Sequence, residues 1–239
     1  MKHRKITTCL APCLALTLFA PMDLRAVEVN ASAALSNRYV TEGIDNDPDS
    51  SAFLFSEVTA MLEGFTAGVW WAQSLRGSST NEVNVFLEYG FDLGEVELFA
   101  GVNFLTFPAL DDADTWEVYL GFAYAPHDNV VFFGETYYDI DEVKGGFLEL
   151  GAAFPFQPWA ADDRWELAPY GQLGVDYGFV SGPRRLRLNN FQIGLISTYT
   201  LTDAVEVFAG VHHSFRLRNL RDEELGDVSW VEVGLNFAF

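Results

Sequence analysis

The chain has 239 residues, 49% of them hydrophobic and 15% aromatic, and 14 lysines and arginines against 34 aspartates and glutamates give a net charge of -20. A mean hydropathy of only +0.09 means that the apolar residues are interleaved with polar ones. These figures exclude a nucleic-acid binder, whose footprint is basic, a disordered tail, which lacks aromatics, and, past residue 20, a membrane helix of about 20 apolar residues.

The first element in chain order is a targeting segment. Met1, Lys2, His3, Arg4 and Lys5 make a basic start, 6–20 is an apolar stretch, and Leu24 and Ala26 fill the two positions that a signal peptidase reads. A cleaved Sec-type signal peptide over 1–26 is expected, with Ala20 as a second possible cut. Leu10, Ala11, Pro12 and Cys13 look faintly like a lipoprotein box, but Cys13 lies inside the apolar stretch and follows a proline, which argues against lipidation. Both cysteines, Cys9 and Cys13, leave with this segment, so 27–239 has no disulfide framework. That remainder keeps 10 basic and 33 acidic side chains and is long enough for one sizeable domain.

From Val27 onward the dominant period is two, the signature of a strand between two different media. Val83, Val85, Leu87, Tyr89 and Phe91 alternate with Glu82, Asn84, Phe86, Glu88, Gly90 and Asp92. The pattern recurs at Val96, Leu98, Ala100, Val102 and Phe104, at Trp116, Val118, Leu120, Phe122 and Tyr124, and at Val231, Val233, Leu235, Phe237 and Phe239. Twelve runs are predicted, over 27–39, 52–62, 65–74, 82–93, 95–105, 115–125, 129–140, 146–155, 165–179, 186–200, 204–217 and 228–239. No stretch has a convincing helical period, and the predicted fold class is all-β.

The connections alternate in length. Tight turns rich in turn formers at 62–64, 93–94, 126–128 and 201–203 are interleaved with polar loops at 41–51, 74–81, 106–114, 178–185 and 218–227. Short turns at one end, long loops at the other and an even strand count predict a single closed antiparallel transmembrane β-barrel, with both termini on the periplasmic side. The exception is 155–164, a long connection where a short one belongs. A soluble β-sandwich also alternates, but its strands average about five or six residues, whereas these have the length of a tilted membrane strand. Trp70, Trp71, Tyr89, Trp116, Tyr124, Tyr137, Trp165, Tyr199 and Trp230 lie near strand ends, where aromatic girdles meet headgroups. Hydrocarbon offers no partner to an unpaired amide, so the first strand must pair with the last.

Ser36, Tyr39, Gly43 and Ile44 form an S-x-x-Y-x-x-x-G-I segment, and Gly64, Phe65, Ala67, Gly68, Val69 and Trp70 form a G-F-x-A-G-V-W strand start. This pairing resembles the opening of the TorF family of bacterial porins, long filed as a conserved hypothetical group. The resemblance covers the first third of the chain and implies an outer-membrane barrel acting as a passive channel of unassigned substrate. The chain departs from the family at Glu42, where an arginine commonly precedes the glycine, which puts any role of that arginine in doubt here.

If the apolar parity faces lipid, then Glu28, Arg38, Glu82, Glu88, Glu95, Glu97, Glu117, Glu135, Glu149, Glu166, Asp176, Glu206 and Glu232 face the interior. Carboxylates in a dry core would cost several kcal/mol each, so a hydrated, cation-preferring lumen is expected; a lumen plugged by mutually paired side chains is the alternative. About eight strands are just filled and about sixteen leave a channel, so twelve implies a narrow pore. Six of the ten basic residues past 26 lie in Arg184, Arg185, Arg187, Arg216, Arg218 and Arg221, at the outer ends of two neighbouring strands. Arg216 and Arg218 share the lumen parity of Glu206, whereas Arg185 and Arg187 do so only if a bulge near Asn189 and Asn190 resets the phase. This group reads as a mouth selecting anionic or zwitterionic solutes, or as a solvated rim binding lipopolysaccharide phosphate.

His212 and Ser214 have the H-x-S spacing used by outer-membrane lipid hydrolases, but they share the inward phase of Glu206, and Phe215 stands where those enzymes carry asparagine. A pore-lining or rim pair is expected, and no enzyme. Asp45, Asp47 and Asp49 resemble the start of a calcium loop without its glycine and later glutamate. With Asp111, Asp112, Asp114, Asp222, Glu223 and Glu224 they read as solvated loops, and no metal or cofactor is implied. The expected partners are outer-membrane lipid and lipopolysaccharide, the barrel-assembly machinery acting on a final strand that ends in Phe239, and a small hydrophilic solute; nucleic acid is not one. The functional expectation is a Gram-negative outer-membrane porin that passes small hydrophilic solutes, the alternatives being a closed structural or adhesion-like barrel and a soluble periplasmic β-protein.

Overall fold

The computed structural model describes residues 7–10, 14–17, 27–76, 81–110, 113–159, 162–182 and 186–239. Within 1–26, Thr7–Leu10 and Leu14–Thr17 pair antiparallel; the cut sites expected at Ala20 and Ala26 lie outside the described residues. Twelve strands follow: β1 Glu28–Ser36, β2 Phe53–Leu62, β3 Phe65–Ser74, β4 Asn81–Leu93, β5 Val96–Thr106, β6 Thr115–His127, β7 Val130–Asp139, β8 Gly146–Ala153, β9 Trp165–Asp176, β10 Arg187–Thr202, β11 Val205–Arg216 and β12 Val228–Ala238. All twelve predicted runs are strands. A single helical turn, α1 Arg218–Asp222, stands where only polar loop was expected.

Each strand pairs antiparallel with the next, and β12 pairs with β1, Glu232 opposite Ser36 and Asn236 opposite Ser32, so the sheet is a closed barrel with no free edge. The tight turns work as their residues require. Between β2 and β3, Glu63 (φ 52°) and Gly64 (φ 83°) both take positive φ, the type I′ geometry that matches strand twist. The long connection before β9 is partly absorbed by a backbone pair of Phe156 with Leu167 that extends the ladder. The bulge that an inward Arg187 would require is present: Gly174 opposes Asn190 and Val175 opposes Leu188, which leaves Asn189 without a partner on β9 and turns Arg187 to the face of Asp176.

The outer surface is apolar along the whole barrel, with Val58, Val85, Leu120, Phe191, Val211 and Val233 among many large hydrophobics left exposed. A continuous apolar belt of this kind is untenable in water and suits hydrocarbon. Trp71 and Trp116 end it on the long-loop side, and Tyr89, Tyr124, Trp165 and Tyr199 on the short-turn side. Trp70, Tyr137 and Trp230 are not part of this girdle. Their parity turns them inward, where Trp70 packs against Phe55 and Trp230 stacks on His212.

Candidate channel lumen

The inward face is built from carboxylates, amides and aromatic rings. Every expected acidic position that lies on a strand faces in, and Glu57 of β2 joins them; Glu95 instead sits in the exposed β4–β5 turn. Glu88, Glu97, Glu117 and Glu135 come from β4, β5, β6 and β7. Glu135 lies directly opposite Glu149 of β8, whose Oε1 accepts a hydrogen bond from Gln172 Nε2 at 3.0 Å. Asn84 donates to Glu82 and Asn103 to Glu117, while the buried Oδ1 atoms of both amides and Oε2 of Glu97 have no hydrogen-bond partner. Asp139 and Asp176 also face in but serve as staples for outer loops: Asp139 Oδ1 accepts the amides of Asp141 and Val143, and Asp176 Oδ1 those of Phe179 and Val180.

The inward aromatics pack over glycines on neighbouring strands. A Cβ on Gly68 would meet the Phe86 ring at 2.3 Å, on Gly101 the Tyr119 ring at 2.3 Å, and on Gly121 the Phe99 ring at 2.1 Å. Gly151 under Phe133, Gly194 under Tyr170 and Gly234 under Phe208 repeat the device around the barrel. Such ring-over-glycine pairs also pin strand register.

On the β9–β12 wall, Gln192 Nε2 donates to Tyr170 Oη (2.7 Å), which bonds His212 Nδ1 (2.6 Å). His212 Nε2 lies 3.2 Å from Glu232 Oε1, at an angle unsuited to a hydrogen bond. Ser214 Oγ instead accepts from Asn190 Nδ2 at 3.1 Å. Neither imidazole nitrogen faces Ser214, so the H-x-S spacing forms no nucleophile–base pair. Glu206 lies near the short-turn end, accepting from Thr200 at 3.3 Å.

Of the two places expected for the arginines, pore lining or rim, those described take the rim and the outer loops. Arg38 lies beyond the end of β1, in the first loop, where Nη1 bonds the Pro48 carbonyl and pairs with Asp45, both at 3.1 Å. Arg216 has inward parity but sits exposed at the rim, bonded to the Leu225 carbonyl and 4.0 Å from Asp227. Arg218 opens α1 instead of continuing β11; its side chain is 86% exposed and 3.9 Å from Asp222. Arg187 is tied to Asn219 (3.4 Å) and Asp222 (3.7 Å). Arg184 and Arg185 lie outside the described residues. Arg187, Arg216 and Arg218 therefore face carboxylates of the loop that carries α1.

The first loop, 37–52, contributes the part of the lumen that alternation does not reveal. Ser36 Oγ bonds the Arg38 carbonyl and reverses the chain, and a hairpin of Val40–Thr41 with Ile44–Asp45 enters the barrel mouth. Tyr39 packs on Phe53, Phe55 and Trp70 and its hydroxyl donates to Glu82 of β4. At the tip, the Glu42 carboxylate accepts from Tyr137 of β7, and its carbonyl accepts from Asn189 Nδ2 of β10 at 2.6 Å. Gly43 (φ 74°) lies so close to Asn190 and Ser214 that a Cβ would stand 2.6 Å from both. The hairpin thus touches the wall on three sides. Burial there, opposed in part by hydrogen bonds from Thr41 and Tyr137, pushes the Glu42 carboxyl up to about 7.

Solved structures share this architecture. The NanC porin superposes with a TM-score of 0.54 at 11% identity, over 89% of this chain and 99% of that one. The KdgM porin in complex with disordered oligogalacturonate gives 0.55 at 12% identity, over 89% and 99%. An outer-membrane channel from Pseudomonas putida F1 gives 0.51 at 13% identity, over 93% and 100%. The likeness is one of fold. A closed twelve-stranded barrel of this fold, with its apolar face outward, is a protein of the Gram-negative outer membrane. No protein-family model matches the chain and no curated protein matches it in sequence, so the resemblance to the TorF family is confined to the two segments at 36–44 and 64–70.

Proposed function

We propose that the chain is a porin-like channel that passes small hydrophilic solutes across the outer membrane, and that it is a divergent relative of the TorF family. The observation that carries this reading is the inward face: charged and amide side chains on nearly every strand, with the aromatics packed over glycines. Carboxylates in this number, with no lysine or arginine paired to them on the inward strand positions, favour contact with water. Oligogalacturonate, found with one structural neighbour, is a polyanion; the carboxylates here would repel it, so a different solute class is proposed. Phe239, in phase with the apolar face, would serve the assembly machinery. Purified protein in planar bilayers should give discrete conductance steps; a preparation that inserts and gives none would overturn the channel reading.

A further inference from the structure

Glu42 stands at the tip of a loop hairpin that meets the inner wall. Its hairpin is anchored to β4 through Tyr39 and Glu82, to β7 through Tyr137 and to β10 through Asn189. Its carboxylate is within electrostatic reach of Glu82 and Asp176, of Glu117 and of Glu149. The inward positions of the described strands supply no lysine, and their arginines, Arg187 and Arg216, sit at the outer rim beside Asp222 and Asp227. The second sign of an acceptor-rich passage is independent of charge: the buried Oδ1 atoms of Asn84 and Asn103 lack partners beside Glu82 and Glu117.

We propose that the first loop is the selectivity element of the channel, and that Glu42 at its tip completes a carboxylate constriction with Glu82, Glu117 and Glu149 that admits small cationic solutes and rejects anions. This rests on the channel reading and names the charge class it serves. Fixed negative charge in a narrow, low-dielectric passage concentrates cations and raises the barrier to anions. A charge carried on a loop that reaches three strands of the wall adds to those of the wall carboxylates.

The test uses the full chain in planar bilayers under an about tenfold KCl gradient at about pH 8, where Glu42 is ionised. The unsubstituted protein should be cation-selective, and Glu42→Gln should lower the potassium-to-chloride permeability ratio about threefold or more. Glu42→Cys should give steps that fall when a cationic methanethiosulfonate reagent is added, while the unsubstituted chain, whose cysteines are Cys9 and Cys13, should not respond. Glu63→Gln, which removes a charge from the exposed β2–β3 turn, should leave the ratio within about a factor of two. Anion selectivity, an unchanged ratio in Glu42→Gln, or a Glu42→Cys channel indifferent to the reagent would each overturn the proposal while leaving the channel intact. Absence of conductance would remove the channel itself.

Discussion

Glu42 combines a left-handed backbone (φ 50°) with a carboxyl raised to about 7 by burial. A raised acid binds its proton more tightly in the docked loop than in a released one, so docking is unpenalised below the ordinary value of 4.5. The penalty grows as pH climbs towards about 7 and is constant above it. The groups facing Glu42 agree with this sign: Glu82 of β4 and Asp176 of β9 repel its charged form, while Thr41 and Tyr137 relieve only part of the cost. Hydrogen exchange of the loop amides, corrected for intrinsic rate, should therefore show more protection at about pH 5 than at about pH 8. Glu42→Gln should flatten that difference, and equal protection at both pH values in the native chain would refute it.

At the scale of elements, the loops on the long-loop side are held by buried amides rather than by apolar packing alone. Asn219 of α1 is fully buried, donates to Asn189 Oδ1 at 2.8 Å and accepts from Ser181 Oγ at 2.5 Å. Asn189 is available for this because the bulge removes it from the ladder, and its own amide reaches the Glu42 carbonyl. One bulged strand residue thus couples α1 to the first loop. Asn219→Ala leaves buried partners unsatisfied and should loosen α1 by about 1–3 kcal/mol. Faster exchange in 218–225 with an unchanged barrel melting temperature would be the signature; unaltered exchange would mean that Leu220 alone holds the turn.

For the whole molecule, the decisive division is between two surfaces of one sheet. Leu120, in the middle of β6, is 55% exposed on the outer face. Leu120→Arg should cost about 2–4 kcal/mol in denaturant unfolding from lipid vesicles, as expected for a cation near the bilayer midplane. A neutral result would mean that this face does not meet hydrocarbon.

Strand number, strand position, closure and the inward set of carboxylates were all legible in the letters, because a membrane barrel forces one alternation on every strand and that alternation is local. Even the bulge at Asn189 could be read, since the apolar Leu186 and Leu188 conflict with the arginine phase on either side. Two features escaped. Arg38 and Arg218 keep a strand's parity in the sequence although the strands have ended, at Ser36 and Arg216, and parity carries no meaning past the last ladder bond. The docking of Glu42 depends on Tyr137 and Asn189, residues far along the chain whose approach is set by the curvature of the closed wall. Local periodicity decides which face a residue occupies; only closure decides which residues face each other across the lumen.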